Sequence, residues 1–228
     1  MIIEFNGLPG TGKTTVANQL ANLLKQVNVE CYTSYTIAEN RFRRYFSCFY
    51  DGSLSLYFWG MVYAFGSCKE IKISRLKFIS LLIYYFRTYE CFEKNNCDNI
   101  LIIDQGVLQA VISIVHSDEI IRTYALKKIF ECFKRKNIDI IRVDCENNIQ
   151  LSYERIEKRG QNSGRLDICT AEERSIILKS QVRNFSVIRQ TASNYFEKNI
   201  EIDTQLLPAI NSKKIYEYVC NYLSKGVL

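Results

Sequence analysis

The chain has 228 residues, with 30 basic and 24 acidic side chains and a formal net charge of +6, which leaves room for one substantial α/β core and too little for two of ordinary size. Nine cysteines, an odd count with no CxxC pair and no secretory signal, together with the single histidine His116, exclude a disulfide framework and a zinc finger and point to reduced thiols in a cytoplasmic protein. The modest excess of positive charge, spread along the chain, suits an anionic small molecule as well as nucleic acid and decides neither.

The first predicted element is a strand over Ile2 to Asn6, which runs directly into Gly7-Leu8-Pro9-Gly10-Thr11-Gly12-Lys13-Thr14. That is the phosphate-binding pattern G-x-x-x-x-G-K-[ST]. Its glycines, Gly7, Gly10 and Gly12, let backbone N–H groups close around polyphosphate oxygens. The Lys13 ammonium neutralises β/γ charge, and the Thr14 hydroxyl reaches Mg²⁺. Pro9, Thr11 and Thr15 belong to the same nucleotide-binding segment. Val16, Leu20, Leu23, Leu24 and Val27 give the following stretch an apolar face at helical spacing, so a helix N-terminus should point at the phosphates.

Further strands are predicted at Val29 to Ser34, Asn99 to Asp104, Ile138 to Asp144 and Ile200 to Asp203, with helical patterns between them. That alternation predicts a parallel sheet covered on both faces. The connection between the second and third strands, roughly residues 38–96, is too long to be loop and reads as two or three helices rich in Tyr, Phe and Trp. It leaves the end of a strand where ligands of open α/β sheets bind, which makes it the candidate acceptor region. Most of its aromatics should form a local core, and a few could stack on a planar ligand. Its most apolar stretches, Leu54 to Cys68 and Ile79 to Phe86, fall short of the roughly 18 residues of a membrane span.

The third strand delivers Asp104 at its carboxyl end, placed either to hold the Mg²⁺ shell or to accept a proton from an acceptor hydroxyl. Asp104 could also cap the helix that starts at Val107. Gln105 and Gln109, one helical turn apart, could recognise a base or hydroxyls, or simply be surface polarity. After the fourth strand, Asn147 or Asn148 can cap a helix with Ile149, Tyr153 and Ile156 as its buried stripe and Ser152, Arg155 and Arg159 opposite. Gly160-Gln161-Asn162-Ser163-Gly164-Arg165 follows, and Thr170-Ala171-Glu172-Glu173 forms a capping box for the next helix. Arginine-bearing helix, glycine-bounded loop and new helix start, about residues 155–170, are the layout of a lid that closes over phosphate and spreads guanidinium charge on the transferring group.

GLPGTGKTT, the strand ending in Asp104-Gln105-Gly106, YERIEKRGQNSGRLD and the final strand IEIDT together resemble the nucleoside monophosphate kinases, in layout the thymidylate kinases. The resemblance implies one P-loop kinase domain over 1–228 of the three-layer α/β P-loop NTPase class, with a five-stranded parallel sheet in the order 2-3-1-4-5. It also implies ATP as donor with Mg²⁺, Lys13 on the transferred phosphoryl, and Arg155, Arg159 and Arg165 in or beside the lid. Two departures bear on the acceptor. Gln105 stands where thymidylate kinases usually carry arginine, and their Arg-Glu-Pro segment is replaced by Glu39-Asn40-Arg41-Phe42-Arg43-Arg44. Arg41, Arg43 and Arg44 could bind an acidic acceptor or coat a helix.

The expected activity is therefore transfer of the γ-phosphoryl of ATP to a small molecule of nucleoside or nucleotide type, by a monomer or homodimer with no nucleic-acid or membrane partner. A sugar or other metabolite as acceptor is the alternative within this class. A nucleotide-gated binding protein, using the apolar segment from Leu54 to engage a partner, is the alternative outside it. Nothing in the chain resembles the Asn-Lys-x-Asp guanine-reading motif of GTPases, and the basic residues are not interleaved with an aromatic platform for single strands.

Overall fold

The computed structural model describes residues 1–33, 54–67, 73–95, 99–115, 121–146, 148–159, 166 and 169–225. In chain order these form β1 (Ile2–Asn6), α1 (Lys13–Gln26), β2 (Cys31–Thr33), α2 (Leu54–Ser67), α3 (Ile73–Asn95), β3 (Ile100–Ile103), α4 (Val107–Ile114), α5 (Thr123–Lys134), β4 (Ile140–Cys145), α6 (Ile149–Arg159), α7 (Ala171–Ala192), β5 (Lys198–Ile202) and α8 (Pro208–Lys225).

The five strands are all parallel and lie in the order β2-β3-β1-β4-β5. Strands covered on both faces need apolar residues on both, and β1 and β3 read IIEFN and ILII accordingly. Alternate side chains divide between two cores. Ile3, Phe5, Ile102 and Val143 join the core beneath α1 and α8, while Ile2, Leu101 and Ile103 join the one formed with α3, α4, α5 and α7. The helices that follow β1 and β3 thus sit on opposite faces of the sheet. Between the carboxyl ends of these neighbouring strands opens the crevice where α/β sheets bind ligands. This is the P-loop NTPase fold, in the strand order that the resemblance implies.

Several boundaries differ from the expectation. Val29 lies outside β2, its N–H instead closing the end of α1 on Leu24 O at 3.0 Å. β5 begins earlier, at Lys198, because its register with β4 runs from Ile141↔Lys198 to Cys145↔Ile202. In the long connection the described residues form two helices, and their aromatics mostly build core, with Tyr63, Phe86, Tyr89 and Phe92 buried and Phe86 edge-on to Phe133 of α5. Among the described residues no helix is long and apolar enough to cross a membrane.

Candidate active site

The turn from β1 into α1 needs backbone that only glycine adopts cheaply: φ is +82° at Gly10 and +83° at Gly12. It also needs space, since a Cβ on Gly10 would lie 2.8 Å from Ser152 O and one on Gly7 would lie 2.8 Å from Cys145 Cβ. The loop is therefore wedged between β4 and α6. Ser152, expected on the polar face of α6, is instead fully buried, because that face packs against the loop. Gly12 caps α1 without any side-chain hydrogen bond, leaving the first N–H groups of the helix for an anion.

Lys13 is buried, and its ammonium donates to Gly7 O at 2.8 Å, Leu8 O at 2.7 Å and Thr11 Oγ1 at 3.3 Å. Burial pulls its pKa down to about 8, the Arg189 charge adding to the effect and Asp104 opposing it. The Thr14 hydroxyl donates to Asp104 Oδ2 at 2.7 Å, which joins the ends of the loop and of β3. A hydroxyl and a carboxylate beside a phosphate loop are oxygen donors of the kind a Mg²⁺ ion takes together with water and phosphate. The N-cap position of α4 is Gly106 rather than Asp104; glycine makes no side-chain cap, and the Leu108 N–H is taken by Glu4 of β1.

A cavity of about 680 Å³ adjoins the loop. Lys13, Thr14 and Arg155 line one end; Phe78, Gln109, Ile112, Ser113, Leu166 and Gln181 line the rest, with Gln105 at the wall. A smaller cavity of about 250 Å³ lies on the other side of Arg155, against Thr15, Thr204, Leu206 and Asn211. Arg155 separates the two, donating to Gly10 O at 3.4 Å and Thr204 O at 3.1 Å. The Asn211 amide donates to Asp203 O at 2.7 Å, and its buried Oδ1 has no hydrogen-bond partner among the described residues.

The structure thus brings Lys13, Thr14, Asp104, Gln105, Gln109 and Arg155 to one crevice. Arg159 is the last residue of α6, and its side chain lies outside the described set. Arg41, Arg43, Arg44, His116, Asn147 and Arg165 also lie outside the described residues. Asn148 caps α6, its Oδ1 accepting from the Leu151 N–H at 2.9 Å, and the Thr170 capping box forms as expected.

Other side chains at the crevice carry little signal in the sequence. Arg189, near the end of α7, donates to Asn6 O at 3.1 Å and Cys145 O at 2.7 Å, tying that helix to the strand ends beneath the loop. Asp144 sits between it and Arg142, with Arg142 Nη2 at 2.9 Å and Arg189 Nε at 3.5 Å. Cys145 is a buried thiol whose pKa burial pushes up to about 11, so it is protonated and inert below the loop. Arg174 clamps Leu166 O at 3.0 Å and Cys169 O at 3.2 Å while lying over the Tyr153 ring, fixing a cavity-lining residue to α7.

No family model matches the sequence, and no curated protein matches it either. Solved structures do resemble it. A deoxyadenosine kinase from M. mycoides, with products dCMP and a flexible dCDP bound, matches with a TM-score of 0.52 and 16% identity over 99% of this chain and 100% of that one. The YorR protein from Bacillus subtilis, in complex with phosphorylated GDP, matches with a TM-score of 0.49 and 15% identity over 98% and 96% of the two chains. At such identity the first likeness shows a common fold over the full length of both chains.

Proposed function

We propose that this chain is a P-loop kinase that moves the γ-phosphoryl of ATP to a hydroxyl of a small acceptor of nucleoside type. The observation that carries the reading is the pairing of Thr14 with Asp104 at the mouth of a cavity large enough for such an acceptor. A phosphate loop that only bound nucleotide would not need a second chamber of this size beside Lys13 and Thr14.

The loop N–H groups and Lys13 hold the polyphosphate, and Arg155, between the two cavities, lies against the donor. Arg159 and Arg165 are assigned to the lid, adding charge to the transferring group and excluding water. Thr14 and Asp104 would hold Mg²⁺, which supplies charge neutralisation between the phosphates. Their mutual hydrogen bond favours the metal-holding role of Asp104 over that of general base. The smaller cavity, with the orphaned Asn211 Oδ1, suits the amino edge of the donor adenine.

The acceptor class follows from the wall chemistry. Among the described residues lining the larger cavity, the cations Lys13 and Arg155 sit at the loop end, and the remainder is apolar, amide or hydroxyl. An acceptor monophosphate would find no further countercharge among these described residues, whereas a neutral nucleoside could set its base against Phe78 and the Gln109 and Gln181 amides. A nucleoside is therefore preferred to the nucleoside monophosphate of a thymidylate kinase, in keeping with glutamine rather than arginine at position 105. The deoxyadenosine kinase likeness supports the same class.

A second reading draws on α2, where Leu54, Phe58 and Phe65 are exposed alongside Tyr124 of α5: a nucleotide-gated binding protein using that face for a partner. One experiment separates them. ADP release from Mg-ATP is followed across nucleosides, nucleoside monophosphates, sugars and other metabolites, with Lys13→Ala as blank. Turnover stimulated by a nucleoside and absent in Lys13→Ala is expected; ATP binding without any stimulated turnover would favour the binding protein. Arg165→Ala is expected to lower kcat roughly 10²-fold through loss of one transition-state charge contact, and an unchanged kcat would remove Arg165 from the site.

A further inference from the structure

Glu4 is an ionisable residue inside the central strand of a parallel sheet, 1% exposed. Every other side chain on β1 is apolar except Asn6, and burial of a carboxyl there requires partners. It has two from different elements. Oε2 accepts from the Tyr89 hydroxyl of α3 at 2.8 Å, and Oε1 accepts from the Leu108 N–H at the start of α4 at 2.9 Å. Glu4 thus does for α4 what a side-chain cap does for other helices, from across the sheet.

The placement matters for the turn between β3 and α4. Glu4 lies in register with Ile103, the residue before Asp104, and its carboxyl crosses over Gly106 to reach Leu108. A Cβ on Gly106 would lie 2.3 Å from Glu4 Cδ and 2.5 Å from the Tyr89 oxygen, so the turn closes only around glycine. Asp104-Gln105-Gly106 is therefore bracketed by the strand ladder on one side and the Glu4 carboxyl on the other. We propose that Glu4 is the positioning residue of this turn, setting Asp104 against Thr14 and Gln105 along the cavity, with Tyr89 carrying the same constraint into α3. The assignment rests on the kinase reading of Asp104, but it has its own readout.

If reach is what counts, glutamine and aspartate at position 4 should behave oppositely. Glutamine keeps the length, and its oxygen can accept from Leu108 while its NH₂ donates to the Tyr89 oxygen. Aspartate keeps the charge but falls one methylene short. Two quantities are measured per folded, ATP-binding site: kcat with a nucleoside acceptor, and the ratio of ATP affinities with Mg²⁺ and with EDTA, which reports how well Thr14 and Asp104 are arranged. Glu4→Asp and Glu4→Ala are expected to lower kcat roughly tenfold or more and to shrink the Mg²⁺ ratio several-fold, as displacement of a reacting constellation does. Their affinity in EDTA should stay within about twofold, as expected when the loop contacts that bind the polyphosphate are untouched. Glu4→Gln should retain most of both. Equal values in all variants, or a better-behaved aspartate than glutamine, would reduce Glu4 to a packing residue. Should Glu4→Ala fail to fold, the glutamine and aspartate pair decides. Should the wild type phosphorylate no acceptor, the kinase reading falls, and the Mg²⁺ ratio still tests Glu4.

Discussion

At Gly106, substitution by alanine would put a methyl group inside the space of the Glu4 carboxyl and the Tyr89 hydroxyl. Neither can give way without losing a hydrogen bond in a buried place, so Gly106→Ala is expected to cost about 3 kcal/mol in a denaturant titration, at the upper end of overpacking effects. A cost below about 1 kcal/mol, the lower end of that range, would mean that the Glu4 carboxyl turns aside easily. Glu4 itself makes a pH-dependent contribution. Burial pushes its carboxyl above the ordinary 4.5, against the lowering effects of Leu108 and Val107 from α4, Tyr89 from α3 and Arg142 from β4. The unfolded chain then releases this proton first, so the contribution to stability is complete below the unfolded pKa and is lost as pH rises through the folded one. Unfolding midpoints of the wild type minus those of Glu4→Gln should accordingly fall as pH is raised above 4.5. A difference independent of pH would show that Glu4 is ionised to the same extent in both states. None of these contacts was readable in IIEFN, which predicts a strand and names no partner for its one acidic residue. The relevant signal was negative, a charge in a strand that should be continuously apolar, and its partners stand 85 and 104 residues away.

Helix α7 links the two ends of the crevice. Its start is fixed by the Thr170 box, Glu173 N–H donating to Thr170 Oγ1 at 3.2 Å and Glu173 Oε2 accepting from Thr170 N–H at 2.9 Å. Its end carries Arg189 beneath the phosphate loop. Thr170→Ala should cost about 1 kcal/mol, as lost caps do. Arg189→Met should cost more, about 3 kcal/mol, because it removes one of the two cations facing the buried Asp144 carboxylate and the donor to two strand-end carbonyls. The cap could be read in the sequence because all of its partners lie within four residues. Arg189 could not, since a single arginine on a long polar-faced helix looks like any solvated one until the topology brings β1 and β4 under it. The same divide runs through the rest of the chain. The phosphate loop and the strand delivering Asp104 followed from local pattern, and the strand order from the family resemblance, whereas burial of Ser152 and the start of β5 at Lys198 depend on packing between distant segments.

Because β1 sits at the centre of the sheet and contributes to both cores, the loop that follows it is coupled to the stability of the whole described structure. A ligand that binds there and not to the unfolded chain must raise the melting temperature by mass action. At a free concentration one hundred times its Kd the gain is about 2.7 kcal/mol, and for a chain of 228 residues each kcal/mol moves Tm by roughly 2–4 °C. Mg-ATP should therefore shift a calorimetric melt upward by roughly 5–10 °C, combining those two magnitudes. Lys13→Ala should show little of this shift at the same ligand concentration. The shape of the melt tests the proposal that residues 1–228 are one domain, since α3 shares a core with Ile2 and Leu101 of the sheet and should unfold with it. One transition that moves as a whole is expected. Two transitions, with ATP raising only one, would separate the α2 and α3 insertion from the nucleotide-binding sheet and break the path by which Tyr89 and Glu4 connect them.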